Sequence, residues 1–397
     1  MSGNTETGSH GGYPTVRINE EVMREGMQIE SADIPVDDKV RLLEALSRTG
    51  LKHIVVGSFV SPRWTPQMRQ IDELLDRFVP EPGVDYSALI LNKTGAERAH
   101  AHTPPLSPAD GVPRTFVHLC DVFVRRNTNR SQADEIDAWA DTVARAVAAA
   151  KTEAGIGINA AWGSNWLGKF DLSQRMDLLG RQYELWTDAG IRVTEVILSD
   201  PMGWNMPDAV EEQLLAIRSA WPEITRFHLH LHNQRGTAPI SAYTALRTLG
   251  EGCELVLDTT LGGIGGCPYC GNGRATGMMP TEDLVDLLEE LGIDTGVDLD
   301  ALIEAAVLLE QIIGHPTDSH VARTGPRPRG ERLYAMDMPF VETLEQAQHF
   351  RLGPAVYAGA PAPWKGVITS PARDRLGLHQ DRLPESAGGT DPKGVKA

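Results

Sequence analysis

Residues 226–233 read Arg-Phe-His-Leu-His-Leu-His-Asn, so His228, His230 and His232 alternate with Phe227, Leu229 and Leu231. A period of two is the signature of a strand, and it puts all three imidazoles on one face. The opposite face is fully apolar and needs helices over it. Working outward, similar short runs rich in β-branched residues recur at 16–18, 53–56, 88–91, 115–119, 156–160, 193–198 and 254–257. Between them lie amphipathic stretches of helical period. After the first, Val36, Val40, Leu43 and Leu46 form a stripe, with Asp37 and Asp38 in the first turn and Gly50 as a stop. After the second, Thr65 and Pro66 read as a cap and a first-turn proline, with Met68, Ile71, Leu75 and Phe78 on one face. Eight strands alternating with helices predict an α/β fold, a (β/α)8 TIM barrel with a C-terminal extension. An open dinucleotide-binding sheet would place a glycine turn after its first strand, and here that strand runs into Met23-Arg24-Glu25-Gly26.

The composition narrows the function. The chain has 397 residues, 41% hydrophobic, with 54 acidic against 37 basic side chains and a net charge of -17. That balance repels a phosphate backbone and an anionic bilayer, and no basic cluster offsets it, so neither nucleic acid nor a membrane is an expected partner. Residues 1–14 lack the basic start and apolar run of a secretory signal, and no stretch approaches the roughly 18 apolar residues of a spanning helix; a cytoplasmic protein is expected. Four cysteines are too few to staple a chain of this length. The expected organisation is a disordered tail over 1–14, a catalytic barrel over 15–318, an extension over 319–383 that packs on the barrel or a partner subunit, and a disordered tail over 384–397. A homodimer or higher homo-oligomer is expected.

In such barrels the reactive groups sit at the carboxyl ends of the strands. The first strand delivers Arg24 and Glu25 there, and the seventh delivers His230 and His232. Two imidazoles one residue apart, joined by a carboxylate from another strand, can converge on a divalent cation and leave positions open for substrate oxygens. The alternative is that hydrogen bonds to neighbouring strands satisfy the histidines. After the eighth strand, Gly262, Gly263, Gly265 and Gly266 lead into Cys267, with Cys270 three residues on. A glycine-rich loop carrying a thiol at a barrel mouth reads as a gate that delivers a general acid or base; a structural turn or a redox Cys-x-x-C pair are the other readings.

Taken together, Arg24-Glu25-Gly26-Met27-Gln28, the segment 57–68 (Gly-Ser-Phe-Val-Ser-Pro-Arg-Trp-Thr-Pro-Gln-Met), His230-Leu231-His232, Gly265-Gly266-Cys267-Pro268-Tyr269 and Thr281-Glu282-Asp283-Leu284-Val285 resemble the 3-hydroxy-3-methylglutaryl-CoA lyase family over about residues 16–318. The resemblance implies cleavage of a carbon–carbon bond in a 3-hydroxy acid or 3-hydroxyacyl-CoA. It implies a divalent cation, Mg2+ or Mn2+ before Zn2+ or Fe2+, held by Glu25, His230 and His232. It further implies that Arg24 polarises a carbonyl where enolate charge develops, that Cys267 moves a proton, and that Asp200 orients water or the proton relay. A small-molecule acyl compound, as the free acid or a CoA thioester, is the expected partner.

The chain also departs from the family's pattern. Glu25 stands where the family has aspartate, Val55 where it has glutamate, Met278 where it has asparagine, and Asn233 where it has aspartate. Trp162, Trp166 and Trp204, together with Gln28, are candidate substrate contacts, and the tryptophans suggest a larger or flatter apolar group than a methyl. Their other reading is packing under the C-terminal extension. Two rival functions stay open: a condensing acyltransferase of the isopropylmalate or homocitrate synthase type, and a non-catalytic relative that binds an acyl compound.

Overall fold

Eight parallel strands alternate with helices in the computed structural model, which describes residues 12–108, 111–267, 270, 277–330 and 333. They are β1 (Thr15–Glu20), β2 (His53–Ser58), β3 (Asp85–Leu89), β4 (Val117–His118), β5 (Glu153–Asn159), β6 (Arg192–Asp200), β7 (Arg226–Leu231) and β8 (Glu254–Thr259). Their order in the sheet is β3-β2-β1-β8-β7-β6-β5-β4, the cyclic sequence of a (β/α)8 barrel. Among the described residues no ladder joins β3 to β4. Isolated bridges flank that seam, Tyr86 with Leu106 and Arg114 with Gly155.

Strand register explains what lines the interior, because partners in a parallel ladder point to the same face. At the amino-terminal end, Glu195 of β6 pairs with Arg226 of β7 and Gly155 of β5, and Arg114 reaches Glu195 Oε1 at 2.9 Å. Gly155 has no side chain to obstruct that contact: a Cβ there would meet Arg114 Cγ at 3.0 Å. Two residues further on, the Phe116 ring fills the space over Gly157. Two further still, the inward row runs His118, Asn159, Ser199, His230, Asp258, Asn19 across β4, β5, β6, β7, β8 and β1. Phe227, Leu229 and Leu231 face the other way and are fully buried in the layer under the helices.

Three expectations shift in detail. The third strand forms at 85–89 rather than 88–91, because its anchor is Tyr86, 1% exposed, whose hydroxyl donates to Ser47 Oγ at 2.9 Å, whereas Leu91 is exposed. In the helix Val36–Ser47 the buried stripe is Val36, Lys39, Leu42, Leu43 and Leu46, with Val40 only half-buried. Lys39 is tolerated there because its ammonium donates to Gln67 O at 2.8 Å and Gln70 Oε1 at 3.0 Å. Pro66–Met68 forms a 3₁₀ turn and Ile71–Arg77 the helix proper, Thr65 making no side-chain cap.

The chain divides into two compact units, Met1–Ala322 and Arg323–Ala397. Of the second, 323–330 and 333 are described; of the tail expected over 1–14, residues 1–11, of the extension expected over 319–383, residues 331–332 and 334–383, and the whole tail expected over 384–397 lie outside the described residues. Among the described residues no helix is long and apolar enough to cross a membrane.

Candidate active site

The chain leaving β1 makes a single π-helical turn, Val22–Gly26, in which the Glu25 and Gly26 amides both donate to Glu21 O at 2.7 and 3.2 Å. Such turns displace one residue from the helical ladder and recur at functional positions. Here the turn projects Arg24 and Glu25 at the barrel mouth. Arg24 Nη1 donates to Glu25 Oε2 at 2.5 Å and Glu21 Oε2 at 2.9 Å. The turn also makes close contact with the loop after β8. Gly265, at φ +111°, lies against it so tightly that a Cβ would come within 2.8 Å of Glu25 O, so only glycine fits there.

Two strands along the wall, β7 supplies His230 and, one residue past its end, His232. Their Nε2 atoms face each other at 3.1 Å, and His232 Nε2 lies 3.8 Å from Glu25 Oε1. One ligand atom from each of Glu25, His230 and His232 falls within 4.8 Å of the others. Behind His230, Asp258 Oδ2 sits 2.9 Å from Nδ1, while Asp258 Oδ1 meets His228 Nε2 at 2.7 Å and accepts from Asn19 Nδ2 at 2.9 Å. An ionised carboxylate only accepts, so Nδ1 of His230 is the nitrogen that donates to Asp258 and Nε2 is the one that faces the cluster.

Charge reinforces this arrangement. Burial raises the Glu25 carboxyl, but the Arg24 guanidinium and then the two histidines outweigh it and hold it below the ordinary carboxylate range. Burial, then the charge on His230, takes His232 down to about 3, so His232 is a neutral donor. Burial opposes charge on His230, yet the hydrogen bond and charge of Asp258 prevail and lift it to about 9 in the absence of a cation. Two imidazole nitrogens and a carboxylate oxygen, with Glu25 and His232 buried and facing one another, suit a divalent cation that keeps positions open for oxygen ligands. Glu21, His230 and Asp258 form a second group within the same reach. It shares His230, and its carboxylates are already engaged by Arg24 and by two histidines.

Cys267 is half-buried, with Sγ 4.0 Å from Asn127 Oδ1, and side chains from elsewhere in the barrel fasten its loop. Gln28 Nε2 donates to Gly266 O at 3.2 Å and Asn165 Nδ2 to Cys270 O at 2.6 Å. Cys270 is buried, donates its thiol to Pro201 O at 3.1 Å, and its amide donates to Cys267 O at 3.1 Å. Pro268 and Tyr269 lie outside the described residues.

Asp200 ends β6, fully buried and outside the three-residue cluster. Its Oδ2 accepts from the Asn205 amide and from Asn205 Nδ2, each at 2.6 Å, and its Oδ1 has no partner among the described residues. Burial raises this carboxyl despite those hydrogen bonds. The tryptophans separate. Trp162 is 1% exposed, with its indole N–H donated to Ala209 O at 3.2 Å, so it belongs to the core. Trp166 stacks on Phe123 at 6.5 Å under the Arg126 guanidinium, and Trp204 donates to Asn165 Oδ1 at 3.1 Å, which links it to the cysteine loop. Met278 bridges His232 through the backbone and is buried.

Sequence reasoning missed Asp258, Glu21 and Asn205. Asp258 alone left a trace, as the carboxylate that follows the apolar run 255–257 near the end of β8.

The chain is similar to known proteins over most of its length. The profile of the HMGL-like family matches residues 15–309. Mouse mitochondrial hydroxymethylglutaryl-CoA lyase is 33% identical over 318 residues, covering 80% of this chain and 92% of its own. The hydroxymethylglutaryl-CoA lyase of Bacillus subtilis is 32% identical over 308 residues, covering 77% and 96%. Among solved structures, an HMG-CoA lyase from Acinetobacter baumannii in complex with coenzyme A and 3-methylmalate superposes with a TM-score of 0.64 at 29% identity, covering 78% of this chain and 95% of that one.

Proposed function

Because the chain belongs to the HMGL-like family and is a carbon–carbon lyase, we propose that it cleaves a 3-hydroxyacyl-CoA related to 3-hydroxy-3-methylglutaryl-CoA, using Mg2+ or Mn2+ held by Glu25, His230 and His232. The observation that carries this reading is the convergence of those three ligands beside Arg24, which is itself anchored on Glu25.

Cleavage of a tertiary β-hydroxy thioester must remove the hydroxyl proton and stabilise the enolate of the departing fragment. The cation, when bound, lowers the pKa of the substrate hydroxyl. The protein does the rest. Arg24 keeps its charge at any physiological pH, because Glu25 and Glu21 outweigh its burial and raise its pKa further. Both of its carboxylate contacts are made through Nη1, so the guanidinium is fixed in place with its remaining donors directed elsewhere, as stabilisation of an enolate oxygen requires. Cys267, the accessible thiol of the pair, gives a proton to the enolate carbon. A water oriented by Asp200, whose carboxyl burial keeps protonatable, takes the hydroxyl proton from the side of β6. Gln28 and Asn165 hold the loop that carries the thiol, and Trp166 and Trp204 flank it. The CoA thioester form is supported by the coenzyme A present in the A. baumannii relative.

The test is direct. Purified protein incubated with 3-hydroxy-3-methylglutaryl-CoA should release acetyl-CoA and a 3-oxo acid with Mg2+ or Mn2+, and should stop with EDTA. Full activity in metal-stripped protein would overturn the mechanism. Condensation of acetyl-CoA with a 2-oxo acid would favour the synthase reading, and binding without turnover the non-catalytic one.

A further inference from the structure

The fourth strand ends on a histidine that this chemistry does not use. His118 closes β4 in the inward row, and its register partner Asn159 leads through Ser199 to His230 on the same face of the barrel wall. Its Nδ1 lies 2.8 and 3.1 Å from the two oxygens of Glu135, and Glu135 Oε2 also accepts the His118 amide at 2.9 Å. Gln132 Nε2 donates to His118 O at 2.6 Å. Two side chains from the start of the helix Gln132–Ala148 therefore hold this residue, Glu135 by its ring and amide and Gln132 by its carbonyl. The carboxylate fixes the proton on Nδ1, which leaves Nε2 as the free valence of the imidazole.

That Nε2 is buried and has no hydrogen-bond partner among the described residues. The side chain is 6% exposed, with the rings of Phe116 and Phe123 at 5.8 and 5.4 Å. Carbon rings cannot satisfy a ring nitrogen, and water is largely shut out, so the fold sustains an unmade hydrogen bond at the carboxyl end of a barrel strand. Such an atom discriminates strongly between ligands that can pair with it and those that cannot.

Resting on the lyase reading above, we propose that His118, positioned by Glu135, determines substrate specificity: its Nε2 accepts a hydrogen bond from a hydroxyl on the C3 substituent. The preferred substrate then carries a polar branch in place of a bare methyl. The Phe123–Trp166 stack beside it supplies an apolar wall for the carbon that bears this hydroxyl.

The experiment compares kcat/KM for two thioesters, 3-hydroxy-3-methylglutaryl-CoA and 3-hydroxy-3-(hydroxymethyl)glutaryl-CoA, by acetyl-CoA release from the full-length protein. Wild type should favour the hydroxymethyl compound by about tenfold or more. His118→Phe should abolish that preference while still cleaving the methyl compound, and Glu135→Gln should reduce it. Thermal unfolding confirms which variants are folded; should His118→Phe not fold, Glu135→Gln decides. An unchanged preference, an equal loss on both thioesters, or no wild-type preference would overturn the assignment. If wild type cleaves neither thioester, the lyase reading itself fails.

Discussion

Asp258 holds His230 from behind, its Oδ2 2.9 Å from the imidazole Nδ1, so that Nε2 is presented to Glu25 and His232. Asp258→Asn keeps the shape but can present an N–H where the histidine also has one. It should weaken Mn2+ binding and turnover by about tenfold to a hundredfold, with an unchanged circular dichroism spectrum. Titration calorimetry with Mn2+ decides this; wild-type affinity in the variant would remove Asp258 from the metal site.

Glu25→Gln or His232→Ala should abolish turnover without unfolding the barrel. Each removes one of three ligands, and the neutral state of His232 means that its loss strips no charge from the core. Metal content by elemental analysis, read beside a melting curve, separates loss of cation from loss of fold. A fully active His232→Ala protein would refute the ligand set.

Cys267→Ser should lower kcat by about 10²–10⁴-fold and leave KM nearly unchanged, since a hydroxyl is a far weaker proton donor and acceptor near neutral pH than a thiol. Steady-state kinetics on the same thioester measure both constants. Unchanged kcat would take the thiol out of the reaction.

Cys270 offers a redox test, because its amide donates to Cys267 O and holds the two residues in one turn. Hydrogen peroxide should convert the Cys267 thiol to a sulfenic acid with release of water, and the Cys270 thiol should displace a second water to give a disulfide. The capture should be slow, since hydrogen bonding to Cys267 and burial push the Cys270 thiol up. Wild type should recover fully with dithiothreitol, whereas Cys270→Ala should progress to irreversible loss. Equal recovery in both would exclude Cys270 as the partner.

Glu282 predicts a pH dependence of stability. Both its carboxylate oxygens accept from the Gly262 amide, at 3.0 and 2.9 Å, and burial lifts its pKa from 4.5 to about 8. The folded state then binds a proton that the unfolded chain releases between about pH 4.5 and 8, so this stabilisation is complete below that window and is lost as pH rises through it. Glu282→Gln should flatten the fall in Tm across pH 5–8 relative to wild type. A variant whose Tm falls in parallel with wild type would contradict this.

Much of the barrel was legible because seven of its eight strands announce themselves by composition and alternation, and the histidines of β7 show which face is inward. The third strand was misplaced for a physical reason: Tyr86 anchors it through a hydroxyl contact to Ser47, thirty-nine residues away in sequence, which no local pattern reveals. In the site, Glu25, His230 and His232 could be chosen because each stands at a strand end. Asp258 could not, since its importance depends on the register of β8 against β7. The same limit hid the pairing of His118 with Glu135, which joins a strand end to a helix. Trp162 shows the converse, for an indole near a barrel mouth looks the same in sequence whether it meets substrate or, as here, the carbonyl of Ala209.

Among the described residues nothing laces β3 to β4, which makes the wall a split ring. A hoop closed by ladders all the way round can dilate only by breaking hydrogen bonds, whereas a split one can spread at its gap and recoil. The lip of that gap is β4, which carries His118 at its tip, so any widening of the slit alters the bore where a substrate's branch would lodge. Backbone amides along Asp85–Leu89 and Val117–His118 are accordingly the positions at which breathing of the ring would first admit solvent.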